Sequence, residues 1–428
     1  FIKSLKSHKG KGAIILPHGV LFRGNVEAEI RKNIVKRGLI KGIIGLPPNL
    51  FYGTGIPASI IVIDKEDAPN RNGIFMIDAS RGFKKDGNKN RLRERDIHKI
   101  VDVFKGQLEI PKYSRFVSRE EIEENDYNLN IPRYIDSQEE EDIQDVRAHL
   151  VGGIPNRDID DLGKYWSVYP NLKTRLFSSN GEGYSKLTVK TEEIKATIFS
   201  HPDFVKYAQE VQEKLNRWQN KYTPILESIN SETKPKQLIH QISEDLLDTF
   251  SDSRLIDKYD AYQHLMDYWL ETMRDDVYIV SETGWIANEE LIPADLIINR
   301  YFQEEKQVIE ELETTRDEVT SLKEEFEEEH SGEEGVLEEV KNDRGNITKT
   351  NLNKRIREIK DDQDAAEELE ILEQYLELMD QESAARKKIR DADKKLQKKV
   401  QAKYKQLSTD EIQDILVNDK WMASITDE

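Results

Sequence analysis

The sequence predicts an α/β region followed by a mainly α-helical region that ends in long, coiled-coil-like helices. Three observations carry this reading. Apolar runs rich in β-branched residues alternate with a helical face between Ala13 and Ile77, as in a sheet covered on both sides. Apolar and aromatic residues recur at steps of three and four from Phe204 to Met273, the spacing of helical core faces. Beyond residue 300, Val308, Leu312, Thr315, Val319, Leu322 and Phe326 alternate steps of four and three among Glu and Lys, as coiled coils do. At 428 residues the chain is long enough for two or three domains.

Taken in order, residues 1–10 read as the end of a helix, with Ile2 and Leu5 on one face. A strand follows at Ala13–Leu16, then a helix from Val26 to Arg37 closed by Gly38, a favourable residue just past a helix end. Leu39–Leu46 and Ile56–Asp64 are strands joined by a loop too short for a crossover helix, so they should pair antiparallel, at one edge of the sheet. Ile74–Ile77 is a further strand. Residues 79–99 read as a loop with eight basic against three acidic residues. It is either a solvated surface or a phosphate-contacting one, since Lys and Arg supply the sequence-independent part of DNA affinity. Residues 117–135 combine a Ser118-capped helical turn with an Asn-rich extended segment, and the acidic run Glu139–Asp142 marks a boundary.

Composition then divides the remainder. Residues 136–187, rich in Gly, Pro, Asn and Asp over their second part, read as a linker or ordered loop. Residues 188–300 form a helical middle domain, with faces at Phe204–Tyr222, Leu238–Phe250 and Leu255–Met273 and a small hairpin at Val277–Trp285. Residues 301–428 carry two long helices separated by the Ser331–Gly335 hinge. These can pair as an antiparallel hairpin or dock on a partner. A last short helix, capped by Thr409 and Asp410, holds Ile412, Leu416, Trp421 and Met422, whose apolar content calls for more chain or a partner to cover it.

The formal net charge of −19 conceals a division, +9 over residues 1–135 and −28 over the rest. A basic first part suits a polyanion partner, and an acidic second part suits solvent or protein. The absence of cysteine excludes disulfides, thiolate metal sites and a cysteine nucleophile, and fits a cytoplasmic protein. No stretch approaches the roughly 20 apolar residues that cross a bilayer, which argues against a membrane protein. The lysine-rich opening at Phe1 has no signal-peptide pattern, and the chain reads as a fragment.

The loop between the second and third strands is the most unusual stretch. It places Phe51 and Tyr52 between Asn49 and Gly53, where a plain connector would be polar. The rings either fold back as core, the common fate of such residues, or stand exposed for a ligand. Phe51–Gly55 also matches the F-x-G-x-G form of cofactor loops, but such a loop must run into a helix, and this one runs into Ile56, Pro57 and a strand. Lys9–Gly12 lacks P-loop spacing. Glu193-Ile194-Lys195 and Glu358-Ile359-Lys360 have the E-x-K form of some nuclease sites, yet such triplets arise by chance where 34% of residues are charged. The eight histidines include no pair at i, i+4, so a zinc site is not expected.

Several long segments, in order, carry a family resemblance: Ala13–Gly24 (AIILPHGVLFRG), Asn49–Asp64 (NLFYGTGIPASIIVID), Phe75–Ser80 (FMIDAS), Lys112–Tyr134, Asp257–Asp276, the Ser331–Gly335 hinge and Asp419–Met422. Together they closely resemble the modification (methyltransferase) subunit of type I restriction–modification systems. The resemblance implies a Rossmann-like catalytic domain that methylates adenine N6 in DNA with S-adenosylmethionine. It also implies a specificity subunit and a restriction subunit as partners, and makes residues 1–135 the C-terminal part of that domain. Enzymes of this kind take the target base out of the stack and hold it against an aromatic ring. Phe51 is then the first candidate for that ring and Tyr52 the second, with Gly53 and Gly55 letting the loop bend around the base. Arg23, Arg81, Lys84, Lys89, Arg91 and Arg93 become candidates for the DNA backbone. The family's glycine-rich cofactor motif and its Asn-Pro-Pro-Phe/Tyr motif do not occur in these residues; Leu46-Pro47-Pro48-Asn49 has the prolines without the Asn before them. No catalytic residue, no metal and no bound cofactor are therefore expected in this piece, which should be inactive alone. The competing reading is a non-catalytic coiled-coil assembly or DNA-binding scaffold.

Overall fold

Five apolar or half-apolar segments assemble into one sheet. A computed structural model of the chain describes residues 1–137, 144–332, 335–342 and 344–426. The strands are β1 (Lys11–Pro17), β2 (Ile40–Gly45), β3 (Ala58–Asp64), β4 (Gly73–Asp78), a separate two-stranded ribbon of β5 (Lys84–Asp86) and β6 (Lys89–Arg91), and β7 (Ser114–Ser118). The sheet order is β1-β3-β2-β4-β7. β2 and β4 pair in parallel, while β3 is antiparallel to both of its neighbours and β7 is antiparallel to β4. β1, β2 and β4 thus run the same way, and their carboxyl ends share one edge.

The short loop does make β2 and β3 antiparallel, but the pair is not at the edge as expected. β1 covers the outer side of β3, in register from Lys11 opposite Asp64 to Pro17 opposite Ala58. The alternating exposure along β1 is that of an edge strand. At the centre, Phe75, Met76 and Ile77 of β4 are fully buried because both faces are covered. On one face, Ile43, Ile63 and Met76 pack with Val35 of α1 (Asn25–Lys36), Leu129 and Ile131. On the other, Ile44, Phe75 and Ile77 pack with Ile100 and Val103 of α2 (Glu94–Gly106). Gly38 ends α1 with φ +62, and a Cβ there would lie 2.0 Å from the Ala68 carbonyl oxygen, so only glycine fits.

The basic segment 79–99 is less of a loop than expected: β5, β6 and the first turns of α2 occupy most of it. Its apolar positions Ile97, Ile100 and Phe104 have helical spacing, which the surrounding cations obscure. Ser118 caps α3 (Arg119–Glu124) as anticipated, its Oγ accepting from the Glu121 N–H at 3.2 Å. Residues 1–10 hold only a short 3-10 turn at Ile2–Ser4. The acidic run Glu139–Asp142 lies outside the described residues.

Residues 148–187 are not a plain loop. Four short helices (Val146–Val151, Asn156–Asp160, Gly163–Trp166 and Leu172–Leu176) accompany a small sheet of Ile154–Pro155, Tyr184–Leu187 and Phe177–Ser179. Elements of two to six residues are too short to impose a readable period. The helices Pro202–Glu227, Pro235–Thr249 and Lys258–Tyr268 follow the expected faces. No hairpin forms at Val277–Trp285. Instead Met273, Val277 and Val280 continue a buried face at steps of four and three through Arg274–Thr283, and Gly284 follows with φ +80.

The chain divides into two compact units, residues 1–222 with 234–274, and residues 223–233 with 275–428. In the first unit, α2 is tied to the helices beyond residue 234. His98 Nε2 lies 2.9 Å from Glu244 Oε1, the Tyr259 hydroxyl donates to Asp102 at 3.2 Å, and the Arg95 N–H donates to Gln263 at 3.0 Å.

In the second unit the helices Gln303–His330 and Ala366–Tyr404 pair with each other. Glu305 meets Lys399, Lys323 meets Glu382 and Glu327 meets Tyr375, so advancing along one helix means retreating along the other: the pair is antiparallel. Leu312, Val319 and Phe326 face the seam, whereas Val308 and Leu322 are 51% and 55% exposed, so half of the expected stripe points outward. A further helix, Lys349–Ile359, completes this packing. Within the Ser331–Gly335 hinge, Glu333 and Glu334 lie outside the described residues. The last helical segment is capped by Ser408 rather than Thr409 or Asp410. Ile412, Leu416, Trp421 and Met422 are buried within the unit, with the Trp421 indole N–H donating to Asp276 at 2.9 Å. This chain itself covers the surface expected to need a partner.

Candidate nucleic-acid interface

Three connections emerge at the carboxyl edge of the sheet: His18–Arg23 after β1, Leu46–Pro57 after β2, and the stretch after β4 that carries the ribbon. Open α/β sheets place their ligands at this edge. The aromatic pair of the second loop does not fold into the core. Tyr52 is 94% exposed and Phe51 41%. Leu50 is the side chain that anchors the loop, packing on the α2-side core. Asn49 and Gly53 take left-handed conformations, φ +57 and +78, which bend the tip. The Thr54 hydroxyl accepts from the Ile56 N–H at 3.1 Å, and a Cβ on Gly55 would crowd Asn49 Oδ1 at 3.0 Å.

The ribbon holds this loop from the side. The Asn90 N–H donates to the Asn49 carbonyl at 3.0 Å, its side-chain amide donates to the Pro48 carbonyl at 2.7 Å, and Lys89 Nζ donates to the Phe51 carbonyl at 2.8 Å. Lys89 Nζ also stands 5.9 Å from the Tyr52 ring centre. Because the Pro48 carbonyl can only accept, it fixes the Asn90 amide with its oxygen turned the other way. That oxygen is buried with no partner among the described residues. Asn90 was not a sequence candidate; it sits between two cations in a stretch that reads as solvated.

The six cationic candidates divide by their surroundings. Lys84 and Arg91 lie opposite each other in the ribbon, both exposed. Lys89 is the loop clasp just described. Arg23 lies 3.6 Å from Glu27 and packs over Gly19, where a Cβ would meet its Nε at 2.7 Å. Arg81 lines a cavity of about 200 Å³ with Asp78, Lys99, Lys112, Tyr113 and Tyr259. Burial, and then the charges of Asp96 and Asp78, push the Tyr113 phenol well above its ordinary range, so it stays a neutral donor there. Arg93 is committed elsewhere: Asp96 accepts from its backbone N–H at 2.9 Å and from its guanidinium at 2.8 and 3.0 Å. This closes the first turn of α2.

One row across the same edge also escaped the sequence reading. Ser59 lies opposite Leu16 and Gly45, and Gly45 lies opposite Asp78. His18 follows on β1, its N–H donating to the Pro57 carbonyl at 2.9 Å. Burial lowers the His18 pKa against the opposing pull of Asp78, which favours a neutral ring. His18 Nε2 and Ser59 Oγ are buried without partners among the described residues. No group of three or more His, Asp or Glu residues that could hold a metal ion occurs among the described residues, and no helix there is long and apolar enough to cross a membrane.

Comparison with known proteins gives a consistent family. The N-6 DNA methylase family matches residues 1–143. The type I restriction enzyme MjaVII methylase subunit of Methanocaldococcus jannaschii is 43% identical over 144 residues, 33% of this chain and 25% of that protein. The MpnII methylase subunit of Mycoplasma pneumoniae is 34% identical over 167 residues, 39% of this chain and 31% of that one. The crystal structure of a type I restriction–modification methyltransferase subunit from Streptococcus thermophilus shares 46% identity over 31% of this chain and 28% of that one, with a TM-score of 0.30. The chain spans about a quarter to a third of the length of these curated relatives. Residues 1–143 thus match the N-6 DNA methylase family, and the relatives they resemble are type I restriction–modification methylase subunits.

Proposed function

We propose that this chain supplies the target-base wall of an enzyme that transfers a methyl group from S-adenosylmethionine to adenine N6 in DNA. In this reading residues 1–135 are the C-terminal part of the catalytic domain. Phe51 stacks on the extruded adenine, with Tyr52 beside it and Gly53 and Gly55 shaping the loop. Arg23, Arg81, Lys84, Lys89 and Arg91 line the path of the DNA backbone, whereas Arg93 serves α2 through Asp96. The observation that carries the reading is an exposed ring pair at the carboxyl edge of the sheet, on a loop tied at Pro48, Asn49 and Phe51 to a cationic ribbon.

The intact subunit works in the cytoplasm with a specificity subunit that reads the site and a restriction subunit for cleavage. Residues 188–300 form the helical middle and 301–428 the region that docks on partners, joined to residues 1–135 through 136–187. These 428 residues contain neither the glycine-rich cofactor motif nor Asn-Pro-Pro-Phe/Tyr, so this polypeptide alone neither binds S-adenosylmethionine nor methylates. In the full-length subunit with its specificity partner, Phe51→Ala should lower the methylation rate sharply while Phe51→Trp retains most of it. Equal rates for Phe51→Ala and the parent would overturn the stacking role. Micromolar binding of S-adenosylmethionine by the 428-residue chain would overturn the claim that it lacks the cofactor site.

A further inference from the structure

The acidic total of the second part of the chain hides a reversal of sign. Between Arg386 and Lys405 there are ten Lys and Arg against two acids, Asp391 and Asp393. Most of this run lies on the long helix Ala366–Tyr404, with Lys405 as its helical C-cap. Ala385, Ile389, Leu396 and Val400 are the buried side, at steps of four, seven and four. On the opposite side Lys387, Lys394, Lys398 and Lys405 follow steps of seven, four and seven, flanked by Lys388 and Lys395, and all six are exposed. At about 1.5 Å per residue the row is about 27 Å long.

Three of the four neighbouring cations are spoken for: Arg386 pairs with Glu382, Lys399 with Glu305 and Lys403 with Glu411, while Arg390 stands exposed at the side of the row. The six of the outer row make no ion pair or hydrogen bond among the described residues, and Asp391 is the one carboxylate at their positions on the helix. A charged helix face that served only solubility would mix signs. Six like charges in one line repel one another and are stabilised by a polyanion laid along them.

We propose that this outer face of the long helix binds the phosphate backbone of duplex DNA, independently of sequence. The assignment rests on the reading that the chain works on DNA. Lysines suit this role because a flexible point charge needs no fixed geometry to meet a phosphate, whereas base recognition favours the fork of arginine. In a region of strong negative charge, only a concentrated row of this kind can hold DNA close. It would give the complex a second grip on DNA, apart from the sheet edge.

The test is the anisotropy of a labelled random-sequence duplex with the 428-residue chain, titrated over about 50–200 mM KCl. The variant changes Lys387, Lys388, Lys394, Lys395, Lys398 and Lys405 to Gln, its circular dichroism confirming intact helices. If three or four of these lysines meet phosphates, the variant should bind at least about tenfold more weakly at the lowest salt, with a log–log salt slope shallower by about 3. Replacing the same six by Arg should restore both. A second variant, Lys84→Gln with Arg91→Gln, separates the two readings. Loss there with no loss in the six-lysine variant overturns the helix assignment and leaves the sheet-edge site standing; no loss in either overturns both. If the six-lysine change instead abolishes self-association seen by light scattering and leaves DNA affinity intact, the face binds an acidic surface of a second copy and the proposal fails.

Discussion

Removing Lys323 should open the antiparallel helix pair, and removing Glu382 as well should close it again. Glu382 is 7% exposed and is held by two cations, Lys323 from the facing helix and Arg386 one turn along its own. Lys323 is itself mostly covered, while Arg386 stands in solvent. Lys323→Met leaves the buried carboxylate with a single screened partner. A wholly unpaired buried charge costs about 3–5 kcal/mol, and with Arg386 still present we expect about 2–3. In the double variant Lys323→Met, Glu382→Leu no charge remains to desolvate, and the leucine extends the apolar seam of Val319 and Phe326. That variant should come within about 1 kcal/mol of the parent or exceed it. Hydrogen exchange of the peptides in Gln303–His330 and Ala366–Tyr404 reads the opening free energy of these helices alone. A double variant that opens more easily than Lys323→Met would refute the reasoning, because the pair would then be a net attraction. pH gives a second arm. Burial raises the Glu382 pKa, but the two ion pairs outweigh it and hold the carboxyl below its usual value of 4.5. A depressed carboxyl contributes stability that is complete above its unfolded pKa and lost as pH falls through the folded one. Acid below about pH 4.5 should therefore loosen the parent pair more than the double variant, which among the described residues has only the more exposed Lys399–Glu305 pair left to lose.

Further outcomes follow from the same physics. Gly38→Ala forces a side chain into a left-handed conformation and against the Ala68 carbonyl; it should cost about 3 kcal/mol or more, read as a lowered urea midpoint of the sheet-containing unit. The Glu411 carboxyl is held down to about 2, first by the Ser408 N–H and then by Lys403 and Tyr301. The cap of the last helix should therefore survive mild acid and fail between about pH 4.5 and 2, with Trp421 fluorescence as the readout; failure above pH 5 would contradict the assignment. Arg93→Gln should destabilise the start of α2 yet change duplex affinity by less than about twofold, since a guanidinium committed to Asp96 has no counterion to release.

Much of the framework was legible because each element carried its own period. The β-branched runs at Ile43–Leu46 and Ile60–Ile63 are buried strands, and the faces from Phe204 and Leu238 are helices. What stayed hidden has physical causes. α2 carries Ile97, Ile100, Val101, Val103 and Phe104, but its first turn continues a run of cations that reads as loop, and its Asp96 is used as a clasp. The small elements between Val146 and Leu187 are shorter than any readable period. The phase of the long helix pair was misjudged because its seam includes Lys323 and Arg316, polar residues that a hydrophobic pattern skips in favour of the exposed Val308 and Leu322. The aromatic loop was visible as an anomaly, but the side chain that steadies it was not. Asn90 acts through main-chain carbonyls distant in sequence, and nothing in Lys-Asn-Arg announces that.

The central claim is that the Phe51 ring stacks on an adenine taken out of the duplex. It is tested most directly by placing 2-aminopurine at the target adenine and measuring its fluorescence in complex with the full-length subunit and its specificity partner. A base removed from its neighbours brightens, and a ring stacked on it dims it again. Phe51→Ala should give the brighter complex at equal occupancy, and Phe51→Trp the dimmer one. Identical intensity for the parent and Phe51→Ala, with the base demonstrably out of the helix in both, would contradict the account.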